Sequence, residues 1–291
     1  VAINLLLTAA QVIGGVLSGS LSLVADALHN FSDAAGLLLA LVARRISKRP
    51  ADEQRTFGYG RAEVVGGLIN ITSIMVIAGY LLIEAVTRTF DRPEVDGWMV
   101  VIVASFALVV DAATALLTYS MSKGSVNIKA AFLHNIADAL ASVAVIITGT
   151  LIILFDWYWT DIVATIGISV YIVWMSWSPM KRCIRILMQS TPEHLSIDSI
   201  AESLRSIGGI EEVAHLHVWP IDERTTSLEV SVGIAENATI QDVEQIRGDA
   251  IDLLTKRYGI HHVTFEARLL EEVAGRGLIQ DHNPPSIDRV Q

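Results

Sequence analysis

The feature of this chain that most limits its possible folds is a series of six apolar segments, of which all but the short first one have about the length needed to cross a membrane. A helix that spans the hydrocarbon core of a bilayer needs about 20 mostly apolar residues. Hydrophobic residues make up 52% of the 291, which is too many for an ordinary soluble domain of this size. The apolar segments cover residues 2–17, 21–43, 62–86, 98–119, 131–155 and 162–180. We therefore predict an all-α membrane domain with six transmembrane helices.

Charge divides the chain into two parts. Residues 1–191 contain 13 acidic and 13 basic residues, whereas residues 192–291 contain 18 acidic and 8 basic ones, so the net charge of -10 comes from the last third. An apolar part that contacts membrane lipid is thus followed by an acidic, soluble-looking part. Because no basic face dominates, we expect no nucleic-acid partner. The single cysteine, Cys183, excludes an intrachain disulfide.

The positions of lysine and arginine predict the orientation in the membrane. The second-to-third connection, the fourth-to-fifth connection and the stretch after the sixth segment are basic, whereas the alternate connections have only Arg88 and Arg92, offset by acids. By the positive-inside rule both termini are cytoplasmic, which fits an inner-membrane protein with six spans. Because the sequence opens inside an apolar run without Met, we expect the natural chain to begin earlier. The basic residues are Arg44, Arg45, Lys48, Arg49, Arg55, Arg61, Lys123, Lys129, Lys181, Arg182 and Arg185.

The part that follows Pro192 has the pattern of a small domain in the order α-β-β-α-β. Helical patterns cover residues 196–206 and 239–258, and strand patterns cover 213–221, 226–234 and 263–269. Three strands and two helices form a compact α+β layer. After Glu272 the chain is polar and contains Pro284-Pro285, which predicts a disordered tail. The predicted domains are therefore 1–191, 192–272 and 273–291.

A repeated motif, H-N-x-x-D, occurs once in the second apolar segment and once in the fifth. It supplies His29 and Asp33 in the second segment, and His134 and Asp138 in the fifth. Residues four apart lie on one face of a helix, so each helix offers an imidazole and a carboxylate on one stripe. Two such stripes provide four ligands suited to tetrahedral Zn²⁺, and two carboxylates balance its charge inside the membrane.

A structural explanation competes with the functional one. A single His-Asp pair in an apolar helix can equally be a satisfied hydrogen bond between helices. The same pair at the same spacing in two spans is better explained as a functional site, because ionisable groups inside a membrane are costly. Two further carboxylates, Asp26 and Asp111, are candidate accessory groups in these segments. Asp26 either helps ions to leave or is simply solvated.

The sequence resembles the cation diffusion facilitator family, and within it the bacterial zinc exporters. The resemblance covers nearly the whole chain, including His217-Val218-Trp219 and His262-Val263-Thr264. It implies six spans, a cytoplasmic ferredoxin-like domain, homodimers, and metal export coupled to proton entry. It also implies that His29, Asp33, His134 and Asp138 form the transport site. The membrane segments that carry it are Ser18-Gly-Ser-Leu-Ser-Leu-Val-Ala-Asp-Ala-Leu-His29-Asn-Phe-Ser-Asp33, Phe57-Gly58-Tyr59-Gly60-Arg61-Ala62-Glu63 and Ala131-Phe-Leu-His134-Asn-Ile-Ala-Asp138.

The sequence departs from this family at two places where relatives hold further metal ions. In the second-to-third connection, Arg55 and Tyr59 stand at positions where related transporters have histidines, so we expect no metal there. In the acidic domain, Ala214 replaces a histidine that close relatives often have. A cytoplasmic metal site remains open as a hypothesis. Its candidate ligands are His215 and His217, which would share one face of a regular strand, and His262 with Glu266.

Two other classes of function compete with transport. An intramembrane metalloenzyme would use the same ligands, but four ligands fill a tetrahedron, and no H-E-x-x-H motif is present. A metal-sensing membrane scaffold would use the acidic domain to bind a partner. Within the transporter reading, zinc is the first choice, with Cd²⁺, Co²⁺, Ni²⁺ and Fe²⁺ as alternatives, because His and Asp ligands accept all of them.

Overall fold

The computed structural model describes residues 2–91, 93–121 and 126–279, apart from the side chains of residues 2–5, 120, 121 and 126–131. Arg92, Lys123 and the Pro284-Pro285 pair, which entered the sequence predictions, lie outside the described residues, as does the side chain of Lys129. The chain forms two compact units. The first contains the residues up to Arg45 together with Val65–Lys181, and the second contains Ile46–Val64 and the residues from Arg182 onward.

Six long helices precede the sheet, close to the predicted segments. Four of the described helices are long and apolar enough to cross a membrane: α3, α4, α6 and the Phe132–Phe155 part of α5. The apolar part of α1 is shorter, and α2 carries several charged residues. A transmembrane α domain is thus confirmed, whereas length and composition support four of the six predicted spans. The helices are α1 (Ala2–Ser18), α2 (Leu21–Ser47), α3 (Arg61–Thr87), α4 (Gly97–Met121), α5 (Val126–Phe155) and α6 (Trp159–Leu187).

Small residues let the helices of the first unit approach one another closely. A Cβ atom placed on Gly14 of α1 would lie 2.8 Å from the side chain of Val103 of α4. A Cβ atom on Gly66 of α3 would lie 2.9 Å from the Cβ of Ala43 of α2. Apolar side chains cannot drive helix association in lipid, so close packing over small residues takes their place.

The N-terminus of α2 is held by a carboxylate from α6. The first amides of a helix have no partner within the helix, and a side-chain oxygen commonly accepts from them. Here Asp161 accepts from the amides of Leu21, at 2.8 Å, and Ser22, at 3.2 Å. It also accepts from the hydroxyls of Ser20 and Ser22, each at 2.6 Å. This contact fixes the start of the helix that carries His29 and Asp33.

The second unit contains a three-stranded sheet in the predicted order α-β-β-α-β. Strands β1 and β2 are antiparallel, β2 and β3 are parallel, and β2 is the central strand. A helix therefore connects β2 to β3, as parallel neighbours require. Leu228, Val230 and Val232 of β2 belong to the buried core of this unit. The elements are α7 (Ile197–Arg205), β1 (Glu212–Pro220), β2 (Thr226–Ile234), α8 (Ile240–Tyr258), β3 (His262–Leu269) and the short α9 (Leu270–Val273).

The boundaries of the second unit differ from the predicted 192–272. Residues 46–64 belong to it, because the Arg61 Nε donates to the carbonyl of Ile221 at 2.9 Å and the ring of Phe57 contacts that of His262, with centroids 5.3 Å apart. These contacts join segments about 160 and 205 residues apart in the sequence, a distance at which composition gives no signal.

The first residues of the predicted tail, 273–291, contact the second unit. The amide of Leu216 donates to the carbonyl of Leu278 at 2.7 Å, and the amide of His215 donates to the carbonyl of Gly277 at 3.4 Å. Leu278 also packs against the core of the unit. The chain therefore remains ordered beside β1 to at least Leu278, and residues 280–291 lie outside the described residues.

Candidate metal centre

The four predicted ligands meet inside the first unit. The Nε2 of His29 lies 3.3 Å from an oxygen of Asp138, and the Nε2 of His134 lies 3.0 Å from an oxygen of Asp33. Each imidazole therefore faces the carboxylate of the other helix. Because the first ligand of α2 meets the last ligand of α5, the two ligand stripes run antiparallel. Helical spacing placed each pair on one face, and the packing of α2 against α5 brings the two pairs together.

Contacts within each helix complete the cluster. The His29 Nε2 lies 3.7 Å from Asp33, and the His134 Nε2 lies 3.6 Å from Asp138. The two imidazole rings have centroids 6.0 Å apart. Among the described residues, His29, Asp33 and Asp138 each offer a ligand atom within 4.8 Å of the others, a spacing that suits one shared metal ion. His134, whose Nε2 lies beside Asp33, is the fourth member of the cluster.

The two halves of the cluster differ in burial. The side chains of His29 and Asp138 are 5% and 10% exposed, whereas those of Asp33 and His134 are 34% and 37% exposed. Within the described part of the chain, the buried Nδ1 of His29 has no hydrogen-bond partner. A neutral His29 therefore keeps its proton on Nε2, where Asp138 accepts it, because a buried N–H without an acceptor would cost free energy. The cluster can be reached from the Asp33 and His134 side.

Buried polar residues beside the cluster connect its helices to α1 and α4. The Gln11 amide of α1 donates to Asp26 at 2.7 Å and accepts from Asn30 at 3.1 Å. On α4, Asp111 accepts from the hydroxyl of Ser142 at 3.1 Å. Asp26 is only 1% exposed, so the alternative of a simply solvated Asp26 is wrong. The contacts of Gln11 were not predicted from the sequence, although an amide inside an apolar helix is itself a signal.

Comparison with known proteins identifies the family. The profile of the cation efflux transmembrane domain matches residues 1–188, and the profile of the cation efflux protein cytoplasmic domain matches residues 192–266. The chain belongs to the cation efflux family. This confirms the resemblance to cation diffusion facilitators. The match to the cytoplasmic profile also agrees with the small α+β unit that the structure contains.

Three relatives in the cation efflux family cover most of the chain. The cadmium, cobalt and zinc/H(+)-K(+) antiporter of Bacillus subtilis is 33% identical over 88% of this chain and 83% of its own length. The metal cation efflux system protein CzcD of Cupriavidus metallidurans is 30% identical over 89% of this chain and 82% of its own length. The zinc transporter ZitB of Pectobacterium atrosepticum is 31% identical, over 88% and 80%. The family consists of multi-pass membrane transporters, not enzymes, so the metalloenzyme alternative is not favoured.

The candidate cytoplasmic ligands His215 and His217 do not lie on a regular strand of this cation efflux protein. A β-bulge interrupts β1 between Ala214 and His217, and His215 has a φ of 51°. The argument that both histidines share a face by strict alternation is therefore wrong, because an extra residue breaks the period of two. Their rings still contact edge to face, with centroids 4.6 Å apart.

The other proposed cytoplasmic pair, His262 and Glu266, is not brought together. The two residues are four positions apart on β3, a separation of about 13 Å along an extended strand. Glu266 instead accepts from Ser231 at 2.6 Å and from Arg268 at 2.8 Å, and these bonds hold the pKa of its carboxyl below the usual range. Glu266 is therefore engaged by neighbouring side chains, and it does not join His262 at one metal ion.

The loop between α2 and α3 is held by direct contacts among its own side chains. The Tyr59 hydroxyl donates to Asp52 at 2.6 Å, and the guanidinium of Arg55 lies 5.1 Å from the centre of the Tyr59 ring. The Tyr59 hydroxyl and the Arg55 amide hold the pKa of Asp52 below its ordinary value. Arg55 and Tyr59, at which the sequence predicted no metal ion, thus contact other side chains of the loop.

Proposed function

We propose that this chain exports a divalent metal ion, Zn²⁺ as the first choice, from the cytoplasm in exchange for protons. The cargo would bind to His29, Asp33, His134 and Asp138. The observation that carries this proposal is the pairing of two His-Asp stripes across two helices, with imidazole–carboxylate distances of 3.0 and 3.3 Å. Two nitrogens and two oxygens in a compact cluster match the ligand types and the ligand number of tetrahedral Zn²⁺.

Charge balance makes the cluster a suitable place for exchange. Two carboxylates and two neutral imidazoles carry a charge of about -2, and one Zn²⁺ ion neutralises it. Two additional protons, one on each imidazole, neutralise it equally well. Both loaded forms therefore avoid the cost of a net charge inside the membrane. This favours the exchange of one metal ion for about two protons.

Protons and metal compete for the same atoms. With both carboxylates ionised, each His–Asp hydrogen bond has its proton on the imidazole Nε2, and this nitrogen has to lose its proton before it can bind a metal ion. An imidazole titrates near pH 6.5 in water, within the physiological range. A more acidic exterior would therefore expel the metal, and a less acidic cytoplasm would favour reloading.

The surroundings of the cluster support loading from the cytoplasm. The more exposed half, Asp33 and His134, lies towards the C-terminal end of α2, which carries Arg44 and Arg45. The positive-inside rule assigns that basic end to the cytoplasm. An ion from the cytoplasm would thus meet Asp33 and His134 first and the buried pair His29 and Asp138 afterwards.

The proposed architecture follows the sequence predictions. We propose that all six helices α1–α6 span the inner membrane, that both termini are cytoplasmic, and that residues 1–191 form the transport domain, surrounded by lipid. Residues 192–272 would form the core of a ferredoxin-like cytoplasmic domain, which the α-β-β-α-β order supports. A homodimer is proposed, because the family profile of the cytoplasmic domain is that of a dimerisation domain. No nucleic-acid partner is proposed.

Zinc uptake into inverted membrane vesicles with an imposed pH gradient tests the transport function. Wild-type vesicles with an acidic lumen should accumulate Zn²⁺, and collapse of the gradient should stop uptake. Asp138→Ala should reduce uptake by more than about 100-fold, because loss of a ligand costs more than loss of the groups that orient it. The exposed residues Asp91 and His194 provide matched controls, as Asp91→Ala and His194→Ala remove the same chemical groups elsewhere.

The outcome separates the competing functions. Uptake that is the same with and without the pH gradient would refute proton coupling. Uptake by Asp138→Ala at the rate of the wild type would refute the proposed metal site. A metal-sensing scaffold would show zinc binding without any accumulation in the vesicles.

A selectivity series refines the choice of cargo. The names of the relatives include cadmium and cobalt as well as zinc, so uptake of Zn²⁺, Cd²⁺ and Co²⁺ should be compared. His29→Asp should lower zinc uptake relative to uptake by wild type, because it replaces a nitrogen ligand by oxygen, which harder ions prefer.

A further inference from the structure

A side chain of α1 binds two residues of the helix that carries the first two candidate ligands. The Gln11 Nε2 donates to Asp26 at 2.7 Å, and the Gln11 Oε1 accepts from the Asn30 amide at 3.1 Å. Gln11 is fully buried and Asp26 is 1% exposed. The amide thus uses both of its ends on α2, and buried polar contacts of this kind specify one arrangement of helices when every member is satisfied.

The two residues bound by Gln11 lie beside the ligand stripe. Asp26 and Asn30 are four residues apart, as are His29 and Asp33, so each pair forms one stripe along α2. His29 follows Asp26 by three residues, which places the two stripes about 60° apart around the helix. A contact that fixes the first stripe therefore fixes the direction in which the second one points.

The geometry of the cluster makes this direction important. A ligand atom about 6 Å from the helix axis moves by about 2 Å when the helix rotates by about 20°. Binding sites require their groups to be held within about 0.5 Å of the productive geometry. The His29–Asp138 contact of 3.3 Å would not survive such a rotation.

We propose that Gln11 is a positioning residue for the intramembrane site: by binding Asp26 and Asn30, it sets the rotation of α2 that directs His29 and Asp33 towards α5. The side-chain amide of Gln11 provides a donor for the Asp26 carboxylate and, on a separate atom, an acceptor for the Asn30 amide. This inference rests on the proposed metal site, and it concerns how that site is held in place.

The test uses the purified full-length protein in detergent, with Zn²⁺ to measure affinity and Co²⁺ to report coordination geometry. Gln11→Leu keeps the approximate size of the side chain and removes both hydrogen bonds. It should weaken Zn²⁺ binding about tenfold, which is about 1.4 kcal/mol. It should also alter the visible absorption of bound Co²⁺. In inverted membrane vesicles, the same variant should raise the KM for zinc uptake more than it lowers kcat. A residue that only stabilises the fold would change the yield of protein but not the spectrum of each bound ion.

Thr8→Val provides the matched control. Thr8 lies on the same helix and is 3% exposed, and its hydroxyl has no hydrogen-bond partner among the described residues. Its replacement removes a buried polar group of α1 without breaking a hydrogen bond among the described residues. The affinity and the Co²⁺ spectrum of this variant should equal those of the wild type.

A second variant covers the case in which Gln11→Leu does not fold. Asn30→Ala removes only one of the two hydrogen bonds of Gln11 and should weaken Zn²⁺ binding about threefold. If the variant that combines Gln11→Leu with Asn30→Ala folds, its loss of Zn²⁺ affinity should be smaller than the sum of the two single losses. If Gln11→Leu folds, an unchanged Zn²⁺ affinity together with an unchanged Co²⁺ spectrum overturns the proposal. If only Asn30→Ala folds, an unchanged Zn²⁺ affinity of that variant overturns it. Failure of the metal site itself is distinguishable, because wild-type protein would then not bind Zn²⁺, or Asp138→Ala would bind it equally well.

Discussion

Removal of the Asp161 carboxylate should strongly destabilise the membrane unit. Asp161 of α6 is 2% exposed and accepts four hydrogen bonds from the start of α2, two from amides and two from hydroxyls. In Asp161→Ala the hydroxyls of Ser20 and Ser22, which lie 3.2 Å apart, can bind one another. The amides of Leu21 and Ser22 cannot turn, and they lose their acceptor in a buried place.

The expected magnitude follows from these two amides. A buried donor without a partner costs about 1–3 kcal/mol, so the two together cost about 4 kcal/mol. In proteins with units of about 150–250 residues, 1 kcal/mol corresponds to roughly 2–4 °C, which predicts a lower unfolding midpoint by roughly 8–16 °C. Asp161→Asn keeps one acceptor oxygen but directs an NH₂ group at a donor. Its unfolding midpoint should therefore lie between those of the wild type and Asp161→Ala.

The assay is the loss of monodisperse protein on heating in detergent, followed by size-exclusion chromatography at a fixed heating rate. Asp91→Ala, an exposed aspartate in the connection between α3 and α4, controls for the change in charge. A midpoint of Asp161→Ala within about 2 °C of this control would refute the reasoning, because the amides would then have found another acceptor.

Two further predictions concern the second unit. Tyr59→Phe should raise the pKa of Asp52, measured by NMR, because the Tyr59 hydroxyl is the main cause of its lowered value; an unchanged pKa would contradict the contact. The pKa of Glu266 is lower in the folded state than in the unfolded state, where it is near about 4.3. Ionised Glu266 therefore stabilises the folded state above that pH, and this stabilisation is lost as the pH falls through the pKa of the folded state. Between about pH 5 and pH 3 the unfolding midpoint of wild type should therefore fall more steeply than that of Glu266→Gln, and equal slopes would show that the bonds to Arg268 and Ser231 contribute nothing.

Local regularities of the sequence predicted most of the elements correctly. The helix predicted over residues 196–206 is present as α7, and the Ser196 hydroxyl accepts from the amide of Ser199 at its start. The helix predicted over residues 239–258 is present as α8, and it ends before Gly259, which has a φ of 66°. These features depend on residues at most a few positions apart. The break of strand alternation at His215 was not predicted, because a bulge depends on how β1 pairs with β2.

The candidate site shows the same division between local and distant information. Spacing by four residues determined that His29 and Asp33 share one helix face, and that His134 and Asp138 share another, because the period of an α-helix is a local property. Only the packing of α2 against α5 decided that each imidazole meets the carboxylate of the other helix.

The hydrogen bonds that hold α2 in this arrangement could be found only in the tertiary structure. Gln11 lies 15 residues from Asp26, and Asp161 lies 140 residues from Leu21, so no local pattern links either pair. The sequence by itself determined which residues are the candidate ligands and that they lie in an apolar helical domain. The tertiary structure decided how those residues face one another, because hydrogen bonds between distant segments fix the rotation and the ends of the helices that carry them.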